Sequence, residues 1–185
     1  MKIGIVIGSV RDGRKGESVA AWVQEQAAGR ERDGETVELE LIDLKSFDVP
    51  LLEWETIPGA AKKQYPHESV HAWSAAVDAC DGFVLVTPEY NHSVPGALKN
   101  AVDWLYPEWQ GKAAALVSYG AESGVRAVEH WRQILANFSM VVVRQQVSLS
   151  GFDEFDGAQV RPNDRRAGEL ETLLDQLEEA VARQG

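Results

Sequence analysis

Across 185 residues the chain has a single cysteine, Cys80, which rules out an internal disulfide and any zinc or iron–sulfur site built from several thiolates of one chain. Cys80 itself reads as a small helix residue rather than a redox centre. No apolar run approaches the roughly 20 residues that a membrane-crossing helix needs, so no membrane partner is expected. The opening stretch Met1 to Val10 carries one lysine and a short apolar run, lacks a small-residue cleavage site and passes directly into a polar, glycine-rich stretch. It reads as a strand, not as a secretory leader. Positive charge is in short supply: 18 Lys and Arg face 29 Asp and Glu, a net charge of -11. Broad nucleic-acid binding, which rests on clustered cations, is therefore not expected. Internal repeats, low-complexity tracts and linkers are also missing. With 44% hydrophobic and 25% charged residues, what is left is an ordinary globular composition, expected as a cytoplasmic protein with one domain over 1–185.

The pattern along the chain alternates short apolar runs with helical periodicity. Ile3 to Ile7 is a continuous apolar run suited to a strand buried on both faces. Ser18 to Ala28 favours helix, with Val19, Trp22, Val23 and Ala27 at three- and four-residue steps. Thr36 to Ile42 reads as a second strand, and 44–66, with Pro50, Pro58 and Pro66, as an irregular excursion of functional or interface character. A helix over 67–80, a strand over 83–87, a helix from Pro95 to about Leu105, a strand over 113–118, a helix over 125–138 and a strand over 140–144 follow. Leu170, Leu173, Leu174, Leu177 and Val181 mark the last helix. Buried strands alternating with helices imply a three-layer α/β/α domain around a five-stranded parallel sheet. The expected strand order is 2-1-3-4-5, which places a ligand beyond the carboxyl ends of strands 1 and 3, where the winding reverses. The loops that matter are then 8–18, 87–95 and 118–124.

The first of these reads Gly8-Ser9-Val10-Arg11-Asp12-Gly13-Arg14-Lys15-Gly16-Glu17-Ser18. A glycine- and serine-rich turn entering a helix offers free N–H groups and a positive dipole end to an anion, and three cations within five residues reinforce it. A solvated surface loop is the alternative, and Ser18 reads equally well as a helix N-cap. The spacing matches neither the P-loop nor Gly-x-Gly-x-x-Gly, which weighs against nucleotide hydrolysis and a dinucleotide site of that type. The second loop, Thr87-Pro88-Glu89-Tyr90-Asn91-His92-Ser93-Val94-Pro95, builds a rigid rim with an aromatic wall suited to a flat heteroaromatic ring. His67 and His71 share a helix face but have no further ligands in view, so no metal site is expected. Trp104, Trp109 and Trp131, beside apolar neighbours, read as core or interface.

Together, Gly-Ser-x-Arg after the first strand, Pro-Glu-Tyr-Asn-x-Ser-x-Pro-Gly-x-Leu-Lys-Asn-Ala-x-Asp-Trp after the third and Ser-Tyr-Gly after the fourth resemble the NADPH-dependent FMN reductase family, from Lys2 to about Val147. The resemblance implies a flavodoxin-like fold, non-covalent FMN, NADPH or NADH as electron donor, a small-molecule acceptor such as a quinone or free flavin, and a homodimer or homotetramer. It further implies that Ser9, Arg11, Lys15, Gly16, Glu17 and Ser18 hold the FMN phosphate, that Pro88, Glu89, Tyr90 and Asn91 line the isoalloxazine ring, and that Ser118, Tyr119 and Gly120 flank its other side. No catalytic side chain is implied, because the flavin itself exchanges the hydride and the protein supplies binding and orientation. The chain departs from the family in carrying Ala121 and Ser123 where many relatives have glycine, which narrows the backbone there. Glu122 adds a negative charge near the donor's path and leaves NADH or NADPH preference open. The rival readings are a flavodoxin-like electron carrier and a redox-sensing interaction protein. In a dimer of the family's kind, the segment from Trp104 to Trp109 and the 50–66 excursion are candidates to reach the partner's site.

Overall fold

Ile3, Ile5 and Ile7 alternate with Gly4 and Val6, and a strand sends successive side chains to opposite faces. The computed structural model, which describes residues 1–184, places these five residues in β1 (Lys2–Ile7). Residue 185, the last position of the expected domain, lies outside the described residues. β2 (Glu38–Asp43), β3 (Gly82–Pro88), β4 (Ala113–Gly120) and β5 (Val141–Ser150) complete one sheet in the order β2-β1-β3-β4-β5, every neighbouring pair parallel. The expected order is the observed one.

The period of two splits the core. Ile3, Ile5, Ile7, Val84, Val86, Ala115, Val117 and Tyr119 pack on one face against α1 (Gly16–Ala27) and α5 (Asp164–Ala182). Val6, Phe83, Leu85, Ala114 and Leu116 pack on the other, against α2 (Glu68–Asp78), α3 (Gly96–Asp103) and α4 (Val125–Ala136). Trp73, Trp104, Trp109 and Trp131 are fully buried in the second layer. Trp104 and Trp109 therefore belong to the chain's own core, and neither indole is free to reach a neighbouring subunit.

Several boundaries differ from expectation. Thr36 does not open the second strand: with Glu35 it pairs with Glu31–Arg32 in a small antiparallel ribbon. Its turn, Asp33-Gly34, has positive φ at both positions, the geometry that suits a two-residue hairpin. The last strand runs to Ser150 rather than 144. Its polar half, Arg144 to Ser150, lies at the sheet edge with only Val147 and Leu149 buried, after a register shift opposite Ala114 and Leu116. A second ribbon, Phe155–Asp156 with Gln159–Val160, follows it. Pro95 precedes α3 as its N-cap instead of occupying its first turn.

The 44–66 excursion is held down by the motif that follows β3. Pro50 O accepts hydrogen bonds from Asn100 Nδ2 (2.8 Å) and Trp104 Nε1 (2.7 Å), and Leu52 N donates to Asn100 Oδ1 (3.0 Å). Trp54 stacks on Trp104 at 6.2 Å. The Asn-Ala-x-Asp-Trp part of the long motif thus serves the fold. Cys80 is buried at the end of α2, and burial pushes its thiol up to about 11. With thiolate scarce at pH 8 and the sulfur enclosed, Cys80 should resist maleimide in the folded chain and react fully in denaturant; rapid labelling of the native protein would contradict this placement.

Candidate functional site

Beyond the carboxyl ends of β1, β3, β4 and β5 lies a cavity of about 350 Å³, lined by Ser9, Arg11, Gly13, Arg14, Lys15, Pro88, Glu89, Tyr90, Tyr119, Gly120, Ala121, Gly151 and Phe152. Its size falls in the range of small-molecule sites. The β1 loop forms one end. Its architecture depends on Arg14, whose side chain is almost fully buried. Arg14 donates to Ser9 O (2.6 Å), to both oxygens of Asp43 (2.7 and 2.6 Å) and to Glu17 Oε1 (2.9 and 2.6 Å). Burial opposes the charge on this guanidinium, and the hydrogen bonds to Asp43 and Glu17 outweigh it, raising its pKa. Of the three cations in the loop, Arg14 is thus neutralised by carboxylates and serves as a brace. Lys15 is partly committed: Nζ donates to Gly151 O (3.1 Å) and lies 4.2 Å from the Phe155 ring centroid. Exposed Arg11 forms no ion pair among the described residues, and its guanidinium carbon sits 5.7 Å from the Tyr90 ring centroid.

α1 starts at Gly16, two residues earlier than expected, with Lys15 as its N-cap and no side-chain cap. Ser18 is not a cap. Its hydroxyl donates to Lys15 O (2.9 Å) and Ala158 O (2.7 Å) and accepts from Val160 N (3.1 Å), tying the second ribbon to α1. The backbone N–H groups of the first turn are left without side-chain partners, as an anion site requires. Gly16 permits a close approach: a Cβ there would stand 2.9 Å from Tyr119 Oη and 3.2 Å from Ile7 Cγ2. Gly16→Ala should therefore overpack the seam between α1 and β4 and cost roughly 1–3 kcal/mol; an undiminished melting temperature would count against this packing.

The opposite wall comes from the β3 and β4 loops. Pro88, Glu89 and Tyr90 line the cavity, while Asn91 sits in the tight Tyr90–Ser93 turn at φ 49° with its neighbour His92 at φ 73°. Glu89 is fixed by Arg126 through a 2.8 Å ion pair and by the Arg126 N–H (3.1 Å) at the start of α4. Ser93 hydrogen-bonds His130 Nδ1 at 2.8 Å. The Tyr90 hydroxyl reaches across to Ser9 Oγ at 2.6 Å, so loops 81 residues apart in sequence meet within the cavity.

Tyr119 turns its two ends in different directions. Its carbonyl accepts from Glu89 N (3.2 Å), and its ring lies on the α1 face, where burial raises the pKa of its hydroxyl. Ser118 is fully buried beneath the following loop, donating to Ser123 O at 2.8 Å. Gly120 O accepts from Ser123 N (3.0 Å) and Gly151 N (2.7 Å). Ser123 occupies the left-handed region at φ 56°, so the departure from glycine is accommodated with local strain, and the glycine that must stay is Gly124, whose Cβ would lie 2.8 Å from Ser118 Cβ.

Of the thirteen positions singled out in the sequence, Ser9, Arg11, Lys15, Pro88, Glu89, Tyr90, Tyr119 and Gly120 line the cavity; Gly16, Glu17, Ser18, Asn91 and Ser118 stand behind or beside it. Gly13 and Ala121, both within loops marked in the sequence, join the lining, Gly151 and Phe152 join it without a sequence signal, and Arg14 joins it as a brace. Phe152, 79% exposed, sits in a turn that the short last-strand reading left outside the sheet. Among the described residues there is no group of three or more His, Cys, Asp or Glu placed to hold a metal ion, and no helix is long and apolar enough to cross a membrane.

Comparison with known proteins places the chain in a family and a fold. The chain is 39% identical over 128 residues to an NAD(P)H-dependent FMN reductase of a Nectria species, covering 68% of this chain and 63% of that protein. It is 38% identical over 148 residues to an NAD(P)H-dependent FMN reductase of Saccharomyces cerevisiae, covering 77% and 78%. The solved FerB flavoenzyme, an NAD(P)H:acceptor oxidoreductase from Paracoccus denitrificans, superposes with a TM-score of 0.74 at 23% identity over 97% of this chain and 98% of that one, which establishes a shared fold. The sequence model of the NADPH-dependent FMN reductases matches residues 1–154, from β1 through the β4 and β5 loops that build the cavity, and the chain belongs to that family.

Proposed function

We propose that the chain is an FMN-dependent NAD(P)H oxidoreductase that passes electrons from NADPH or NADH to a quinone, free flavin or a similar flat acceptor. The observation that carries this reading is the convergence, in one cavity at the winding reversal of the sheet, of an unpaired Arg11, an uncapped helix N-terminus and a rim of Pro88, Glu89 and Tyr90. These features suit a phosphate at one end and a planar ring at the other. Bound FMN supplies the hydride chemistry; the side chains bind and orient.

In this reading Ser9, Arg11 and Lys15, with the backbone N–H groups of Gly16, Glu17 and Ser18, hold the phosphate. Pro88, Glu89, Tyr90 and Asn91 form the ring's edge, and Ser118, Tyr119 and Gly120 support its other side. Arg14 keeps the loop's shape by anchoring Ser9 O to Asp43. Glu89, tied to Arg126, holds the rim rigid and presents no free carboxylate to the ring. The whole chain acts as one flavodoxin-like domain, in the cytoplasm, as a homodimer or homotetramer. Exposed Leu51 and Ile57 on the 44–66 excursion (73% and 74%) suit such a contact.

The acidic charge of -11 favours one rival, a carrier that docks basic partners. Turnover distinguishes the two. Purified protein with FMN, excess NADPH and a soluble quinone should consume nucleotide steadily over many equivalents. Consumption that stops at one equivalent, or none, would contradict the enzyme.

A further inference from the structure

Buried polar atoms are nearly always paired, and among the described residues one side-chain atom breaks the rule: the Tyr119 hydroxyl, on a residue 6% exposed, has no hydrogen-bond partner. Its position is specific. It lies 2.9 Å from where a Cβ on Gly16 would stand, against the first residue of α1, whose opening turn has no side-chain cap. Tyr119 lines the same cavity as Ser9, Tyr90 and Arg11, and the Ser9 and Tyr90 hydroxyls are joined at 2.6 Å. Of the carboxylates around this loop, Asp43 and Glu17 are taken up by Arg14 and Asp12 by Lys45. A hydroxyl with a proton to donate is therefore enclosed close to Ser9 and the Gly16 backbone, both near enough to act on it but neither in hydrogen-bond geometry, in a cavity that Arg11 also lines.

We propose that Tyr119 is a specificity-determining residue: its hydroxyl donates to the phosphoryl group of FMN, so that the chain selects phosphorylated flavin over riboflavin. This inference rests on the FMN reading above. A phosphoryl oxygen is a strong, charged acceptor, the partner that this atom lacks. Ser9 Oγ is engaged by Tyr90, and a phosphoryl group at the start of α1 would offer both Ser9 and Tyr119 a charged acceptor. Riboflavin, ending in a neutral hydroxyl, gains much less from the same donor. The chain by itself thus leaves unmade a hydrogen bond that the ligand would complete, a local conflict of the sort found at binding sites.

Tyr119→Phe separates this role from a structural one, because it removes the donor and keeps the ring against Phe155 and α1. Dissociation constants for FMN and riboflavin, from quenching of flavin fluorescence, would be measured for both proteins, together with the melting temperature of each flavin-free chain. FMN should bind about 10-fold more weakly to Tyr119→Phe, with riboflavin changed less than about twofold by the same reasoning, and the flavin-free melting temperature should hold or rise. Equal losses for both flavins, no loss for either, or a lower flavin-free melting temperature would overturn the assignment. Wild-type protein that binds FMN normally while the variant keeps its FMN-to-riboflavin ratio overturns this inference alone; wild-type protein that binds no flavin overturns the FMN reading itself.

Discussion

Glu108→Ala should lower the unfolding free energy by roughly 3–5 kcal/mol, the largest stability loss expected from any single change considered for this chain. Glu108 is fully buried and forms no ion pair among the described residues. Its carboxylate accepts from Tyr65 Oη (2.7 Å) and Ser74 Oγ (2.6 Å) through one oxygen and from Tyr106 N (3.3 Å) through the other. These three donors come from the 44–66 excursion, α2 and the segment after α3, so one side chain fastens three stretches of chain over the Trp-rich layer. Burial, followed by the bond to Glu108, raises the Tyr65 pKa, as expected for a phenol facing a carboxylate. Alanine would strand three donors away from water, whereas Glu108→Gln keeps an acceptor and the volume and should cost roughly half as much. Urea unfolding at neutral pH would measure both. A loss below about 1 kcal/mol for alanine would show that water replaces the carboxylate and that the cluster is not a fastening.

Arg11→Ala should weaken FMN binding by about 10- to 100-fold, from the roughly 1.5–3 kcal/mol of a charge-assisted hydrogen bond, taken at the lower part because Arg11 is exposed. Its guanidinium faces the Tyr90 ring and is not satisfied by any carboxylate, so its removal should leave the melting temperature of the flavin-free protein unchanged. Arg14→Ala provides the contrast. It would free the bidentate bond to Asp43 and the tie to Ser9 O, lowering stability and FMN affinity together. An Arg11 variant with wild-type FMN affinity would remove Arg11 from the phosphate end; an Arg14 variant that loses affinity with no loss of stability would make Arg14 a ligand residue rather than a brace.

These two arginines show how far the sequence could be read. The run Arg11, Arg14, Lys15 marks a cationic loop, but the sequence does not reveal that Asp43, at the end of β2, neutralises the middle cation, because that pairing depends on β1 and β2 lying side by side. The sheet order was legible, since four apolar runs and one alternating run separated by helical periods admit few arrangements and the family motifs sit at strand ends. Edge-strand residues 145–150 were not: Gln145, Gln146 and Ser148 lack the apolar run that marked the central strands. With them went Gly151 and Phe152, whose place in the cavity follows from the longer strand. Ser18 read equally as a cap or a phosphate ligand, and its hydroxyl proves to be engaged by the second ribbon, whose existence carried no sequence signal. Tyr119 was legible as part of a motif, but the direction of its ring toward Gly16 depends on the register of β4 against its neighbours.

On the proposed function, this cavity holds FMN and lets a nicotinamide reduce it. The most direct test is the visible absorbance of protein mixed with FMN, desalted, and then titrated anaerobically with NADPH and, separately, NADH. A flavin band should survive desalting and bleach rapidly with at least one nucleotide. A retained band that neither nucleotide bleaches would contradict the reductase and favour the carrier; loss of all flavin on desalting would contradict the cofactor assignment itself.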